Sequence, residues 1–143
     1  KAEVVVAELV PAVVAWARGP MAEVFSGSLD DSRVKIREAD VGAVIAEARG
    51  GWDAILLDVD NGPDGLTRAS NDRLYSADGL RAALAALRPG GLLAVWSSGP
   101  DAGFTNRLKQ AGFVVEEVPT RARGKRGGGR HMIWIAMKPG RPG

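Results

Sequence analysis

The feature that most constrains this sequence is the stretch Trp52-Asp-Ala-Ile-Leu-Leu-Asp-Val-Asp-Asn-Gly-Pro-Asp-Gly65. Its apolar run, Ala54 to Leu57, is too short for a helix and is bounded by turn formers, which predicts a buried strand of a parallel sheet. The strand runs out in a carboxylate, Asp58, with a second at Asp60. Asn61-Gly62-Pro63-Asp64-Gly65 then stops regular structure, because Gly and Pro are the strongest local breakers. In an open α/β sheet, ligands bind outside the carboxyl ends of the strands, so Asp58 stands where chemistry would be done. The same residue also has an ordinary reading, as the cap of the turn that follows.

The flanking sequence repeats this strand-then-acid pattern. Glu3-Val-Val-Val-Ala7 predicts a buried strand ending at Glu8, and a helix follows through Leu9, Val10, Val13, Val14 and Ala17, closed by Gly19-Pro20. Trp16 in that helix is expected in the core. Val34-Lys-Ile-Arg-Glu38 predicts a strand ending at Asp40, then a helix from Val41 to Ala48. After a loop over 60–72, Ser76 is placed to cap a helix with Leu80, Ala83, Leu84 and Leu87 on one face, and Arg88-Pro-Gly-Gly91 ends it. Leu92 to Trp96 predicts another strand, Asp101 to Gln110 a helix stopped by Gly112, and Phe113–Val118 and Met132–Met137 a closing antiparallel pair. Strand–helix units followed by a hairpin specify a layered α/β sheet, mostly parallel with one antiparallel strand.

At 143 residues, with 45% hydrophobic and 25% charged, the chain reads as one soluble domain with a real core. It has no cysteine and a single histidine, His131, which leaves no thiolate or histidine cluster for a metal site. A cytoplasmic location fits, and no membrane span is expected. The net charge of +2 hides an asymmetry, since all 17 acids lie at or before Glu117 while residues 118–143 carry seven Lys+Arg. The basic segment Arg121-Ala-Arg-Gly-Lys-Arg126 with Arg130 is expected to be a solvated hairpin, and nucleic-acid binding is disfavoured.

Three carboxylates, Glu8, Asp40 and Asp58, are expected at the ends of three parallel strands and therefore on one rim of the sheet. One acid there can take both hydroxyls of a ribose, another can accept from an adenine amino group, and a third can orient or deprotonate an amine or hold a cation. The trio points to a nucleoside-type ligand.

The segments Leu29–Asp40, Asp53-Ala-Ile-Leu-Leu-Asp-Val-Asp60, Leu74-Tyr-Ser76 and Leu87-Arg-Pro-Gly-Gly-Leu-Leu93 resemble, in that order, the spermidine/spermine synthase family and its spermidine synthase-like relatives. The resemblance covers nearly the whole chain and implies the Rossmann-like, three-layer fold of S-adenosylmethionine-dependent methyltransferases. It implies that Glu8 holds the ribose hydroxyls, that Asp40 with Val41 holds the adenine, and that Asp58 faces the attacking amine. The second acid of the catalytic loop is then either Asp60 or lost to Asn61, because the loop Asp-Val-Asp-Asn-Gly-Pro is shorter than the family's pattern, and Tyr75 stands near the active-site mouth. The cofactor implied is S-adenosylmethionine or its decarboxylated form, with a small-molecule acceptor such as a polyamine; a homodimer is compatible with the resemblance. The family's first strand and Gly-rich loop lie upstream of Glu8 and are missing from this sequence, and Ser97-Ser98-Gly99 stands where true synthases tend to have a Gln. The expectation is therefore one domain over 1–143, a piece of a longer polypeptide. A direct pairing of strand Glu3–Ala7 with strand Ala54–Asp58 would refute a missing centre.

Two functions follow. One is a transferase that moves an aminopropyl or methyl group by displacement at a carbon next to sulfonium, with Asp58 taking the proton the nucleophile sheds. The other is a non-catalytic member of the same family acting as a nucleoside- or phosphate-binding module. A dinucleotide dehydrogenase is disfavoured; its Gly-x-Gly-x-x-Gly does not occur, but the region where it would lie is missing as well, so the absence does not decide.

Overall fold

A computed structural model describes residues 2–59, 62–63, 69–121 and 129–140. Its elements in chain order are β1 (Val4–Glu8), α1 (Pro11–Arg18), α2 (Ala22–Phe25), a one-turn segment Ser28–Asp30, β2 (Val34–Glu38), α3 (Val41–Glu47), β3 (Trp52–Leu57), α4 (Ala69–Tyr75), α5 (Ala77–Ala86), β4 (Leu87–Ser97), α6 (Ala102–Ala111), β5 (Val114–Arg121) and β6 (Arg130–Met137). The chain divides into two compact units, 1–44 and 45–143.

In the first unit, β1 and β2 pair in parallel, from Val4 opposite Val34 to Glu8 opposite Glu38. The parallel pairing requires a crossover, which α1, α2 and the one-turn segment supply. Pro11 sits at the first position of α1, where its missing N–H costs nothing. The side chain of Trp16 is 56% exposed, contrary to the expectation of a core residue. With Val10 and Val13 it forms an i, i+3 stripe on the open side of an eight-residue helix, so helical spacing of apolar residues here marks a surface row and not a buried one.

In the second unit the strand order is β3-β4-β6-β5. β3 pairs with β4 in parallel, while β6 inserts between β4 and β5 and runs antiparallel to both, as expected of the closing hairpin. One sheet face carries the core: Ile55, Leu57, Leu93, Val95, Met132, Trp134 and Ala136 are buried, together with Leu80, Ala83, Phe104 and Leu108 of α5 and α6. β3 is buried on that face only. Leu56 is 75% exposed, which corrects the reading of this strand as buried on both sides.

Helix α5 stops at Ala86 with Leu87 as its C-cap, directly ahead of Arg88-Pro-Gly-Gly91 as expected, and the Pro-Gly-Gly turn itself lies within β4. Gly90 takes φ 80°, where a side chain would be strained, and its N–H donates to the Lys138 carbonyl at 3.0 Å. The Lys138 N–H returns a bond to the Gly91 carbonyl at 2.9 Å, and its ammonium donates to the Leu87 carbonyl at 2.7 Å. The turn therefore fastens the start of β4 to the end of β6, at the opposite end of the strand from Ser97.

The segment expected as loop through residue 72 contains helix α4, Ala69–Tyr75. Among the described residues, β1 and β2 form one sheet and the other four strands form another, and no pairing joins β1 with β3. No helix among the described residues is long and apolar enough to cross a membrane.

Candidate active site

In the second unit, β3 delivers its chain to the sheet rim at Leu57, whose register partner is Val95 of β4. Asp58 follows, exposed and with no hydrogen-bond partner among the described residues. The backbone after it is held from below. Tyr75, the last residue of α4, is buried to 4% exposure, and its hydroxyl donates to the Val59 carbonyl at 3.1 Å. Its ring meets Phe104 edge-on at 5.7 Å, and Phe104 meets Trp134 edge-on at 4.9 Å, so the hydroxyl is carried on a run of enclosed aromatic rings.

The α4–α5 junction fixes Tyr75 from the other side. Ser76 caps α5 by accepting from the Gly79 N–H at 3.2 Å, and its own hydroxyl donates to the Arg73 carbonyl at 2.7 Å. A Cβ at Gly79 would stand 2.1 Å from that same carbonyl, so the two helices meet too closely for any side chain there.

A second clamp was not visible in the sequence. Gly62 is buried with φ 88°, and a Cβ on it would lie 2.5 Å from Cβ of Ser97 at the end of β4. Gly62 thus lies against the neighbouring strand end, at a position open only to glycine. Asn61-Gly62-Pro63 signals a turn in the sequence, but the approach to Ser97 is a tertiary fact with no local signature. Asp60 and Asn61 lie outside the described residues, as do 122–128 of the basic hairpin. Arg121 and Arg130 are described, exposed, and opposite each other in register.

The first unit gathers its own acids. Glu8 ends β1 beside Glu38, its register partner, and the Ala39 N–H donates to the Glu8 carbonyl at 3.1 Å. One carboxylate oxygen of Glu8 accepts from the Val10 N–H at 2.8 Å, which turns the side chain back over the start of α1. Asp40 accepts from the Ala43 N–H at 3.1 Å and so caps α3, with Val41 half-buried behind it. The β1–β2 pair therefore brings Glu8 and Asp40 to the same strand ends. Glu38 joins them, an acid expected only as the last residue of a strand.

These residues fit a nucleoside. A carboxylate offers about four acceptor sites. Glu8 uses one oxygen on Val10 and has its other oxygen without a partner among the described residues, which leaves capacity for a vicinal diol. Asp40 likewise has one oxygen engaged by a cap, which fixes its rotamer while leaving the other for a donor such as an exocyclic amine.

No family model matches the chain. The fold is that of spermidine synthases: the enzyme from Thermotoga maritima superposes with a TM-score of 0.74 at 19% identity, covering 95% of this chain and 45% of that one. A spermidine synthase in complex with the transition state analogue AdoDATO gives 0.77 at 19% identity, covering 95% and 46%. Sequence narrows the class. The polyamine aminopropyltransferase of Mycobacterium tuberculosis is 34% identical over 133 residues, 82% of this chain. The match takes in 24% of the relative's own length. The chain belongs to the spermidine/spermine synthase family as a spermidine synthase-like member.

Proposed function

We propose that the protein to which this chain belongs transfers an aminopropyl group from decarboxylated S-adenosylmethionine to an amine acceptor of the polyamine type. The observation that carries the reading is Asp58, an exposed carboxylate without a partner among the described residues, at the end of β3 on a backbone locked by Tyr75 and Gly62. The name of the mycobacterial relative favours aminopropyl over methyl transfer.

When bound, the cofactor supplies an electrophilic carbon next to a sulfonium, whose carbon–sulfur bond breaks with its electron pair leaving on sulfur. Glu8 binds the ribose hydroxyls and Asp40, with Val41, the adenine, each already oriented by a backbone N–H. Asp58 accepts a hydrogen bond from the attacking nitrogen, aims its lone pair, and takes the proton it sheds as the new carbon–nitrogen bond forms. Tyr75 positions Asp58 through the Val59 carbonyl and does not itself take the proton. This assigns it to the frame of the site. Asp60 is the second acid of the loop in this reading.

The test is a mass-spectrometric assay of the whole polypeptide with a diamine acceptor, run in parallel with decarboxylated and ordinary S-adenosylmethionine. An aminopropylated product from the decarboxylated form alone is expected. A methylated product, or no product from either, overturns the assignment.

A further inference from the structure

The open face of the four-stranded sheet carries an aromatic pair that the core does not need. Along β4, Leu93, Val95 and Ser97 point into the core, whereas Leu92, Ala94 and Trp96 alternate to the other face, and Trp96 is half-buried there. His131 lies against it, ring centroids 5.1 Å apart and planes tilted by 32°. The pairing follows from register: Trp96 faces Ile133 across the β4–β6 ladder, so His131 is its diagonal neighbour, within reach of aromatic side chains. Nδ1 of His131 is buried with no hydrogen-bond partner among the described residues, so the ring serves here as a flat backing for the indole.

The sheet order β3-β4-β6 sets His131 on one side of Trp96 and the end of β3 on the other. Asp58 is one residue beyond the last registered pair, Leu57 with Val95, and Trp96 is likewise one residue beyond it. Strand alternation places both on the face of Leu56 and Ala94, opposite the buried Leu57 and Val95. A carboxylate and the free side of an indole thus neighbour each other across a strand gap of about 5 Å, with the imidazole closing the far side.

We propose that Trp96, backed by His131, is the acceptor-selecting residue: a diamine lies with its remote ammonium and adjacent methylenes on the indole, which leaves its neutral, attacking amine at Asp58. Trp has the strongest cation-binding face of the aromatic residues, and the ring also shelters methylenes, so the slot favours an alkylammonium over a neutral alcohol or thiol of the same length. This inference deepens the transferase reading and rests on it.

The experiment compares Trp96→Leu, Trp96→Phe and Trp16→Leu in the whole polypeptide, with diaminobutane as acceptor, by calorimetry and by steady-state kinetics. Trp96→Leu is expected to raise the diamine Kd and KM about fivefold to thirtyfold while kcat at saturating diamine and the KM for cofactor hold, and Trp96→Phe should fall between it and the wild type. Trp16→Leu, on an exposed helix row, is the control that leaves both constants as they are. Equal diamine affinity in Trp96→Leu overturns the proposal; if that variant melts early by circular dichroism, equal affinity in Trp96→Phe does so instead. Failure of the wild type to bind diamine also overturns it. Diamine binding that weakens in Trp96→Leu without any aminopropylated product sinks the transferase reading and upholds the amine platform.

Discussion

The two units of the chain are built on opposite terms. In residues 1–44 the only buried apolar side chains among the described residues are Ala17 and Val44, and Val4, Val6, Val13, Trp16 and Val24 are exposed. In residues 45–143, Leu80, Leu87, Leu93, Val95, Phe104, Leu108 and Trp134 are fully enclosed. The proposed roles divide along the same line: Glu8 and Asp40, for the nucleoside, belong to the lightly packed unit, and Asp58, for the reacting amine, to the heavily packed one. The reacting group needs sub-ångström placement, which a rigid core supplies, while a bound ligand can itself help order the acids that hold it.

The sharpest way to break this comparison is to exchange the effects of the two acids. Asp58→Asn should lower kcat by about 10²- to 10⁴-fold with little change in cofactor affinity, because the amide keeps the shape and cannot take a proton. Glu8→Ala should instead raise the cofactor Kd by about tenfold to a hundredfold, the loss of a charge-assisted acceptor. A Kd effect from Asp58→Asn with turnover intact would end the division of roles.

Packing gives the next largest contrast. Leu93→Ala, in the enclosed core, should cost about 2–5 kcal/mol in a denaturant melt, whereas Val6→Ala, 40% exposed, should cost under about 1 kcal/mol. Equal costs would show that the first unit is packed as tightly as the second.

A smaller effect tests the clamp beside Asp58. Gly62→Ala combines a positive φ with a Cβ placed 2.5 Å from Ser97, and should cost about 1–3 kcal/mol. Ser97→Gly in the same chain removes the two nearest atoms it strikes, Cβ and Oγ, and leaves Cα at 2.8 Å, so the double variant should recover part of the loss in a mutant cycle. No recovery would mean that the penalty is backbone strain alone.

The smallest effect concerns acid. Arg33 beside Asp31 holds that carboxyl below its ordinary value of 3.8, chiefly through the side-chain bond and next through the Arg33 N–H. A lowered folded-state value means a contribution present above pH 3.8 and lost as the pH falls through the lowered value. The pair lies at the surface, so the effect is small and fades with salt. Asp31→Asn should flatten the acid limb of a stability–pH curve slightly at low ionic strength, and an unchanged limb would remove the pair from the account.

Much of this was legible in the sequence where the signal is local. Val34–Glu38 is a strand over the expected residues, Ser76 caps its helix, and Gly112 ends α6 at φ 105°, because alternation, capping chemistry and left-handed backbone are each written in a few adjacent residues. Helix α4 was not legible, since Ala-Ser-Asn-Asp-Arg-Leu-Tyr has no apolar period and Tyr75 is tied to Val59 and Phe104, which are distant in sequence. Trp16 misled because periodicity reports a face, not what covers it. The placement of Glu8, Asp40 and Asp58 at strand ends was foreseeable from strand-then-acid order; the closeness of Gly62 to Ser97, and of Trp96 to His131, depends on register between distant strands and is invisible until the sheet is assembled.

The bond from Tyr75 to Val59 has a further use. Tyr75 is the only tyrosine in these 143 residues, so in a magnetic resonance spectrum of protein labelled at the tyrosine ζ carbon the ring signal that Tyr75→Phe removes is its own. That signal originates one peptide away from Asp58, on a ring wedged against Phe104. The molecule therefore carries a built-in probe beside Asp58, one that reports ring flipping and hydroxyl exchange as ligands are added.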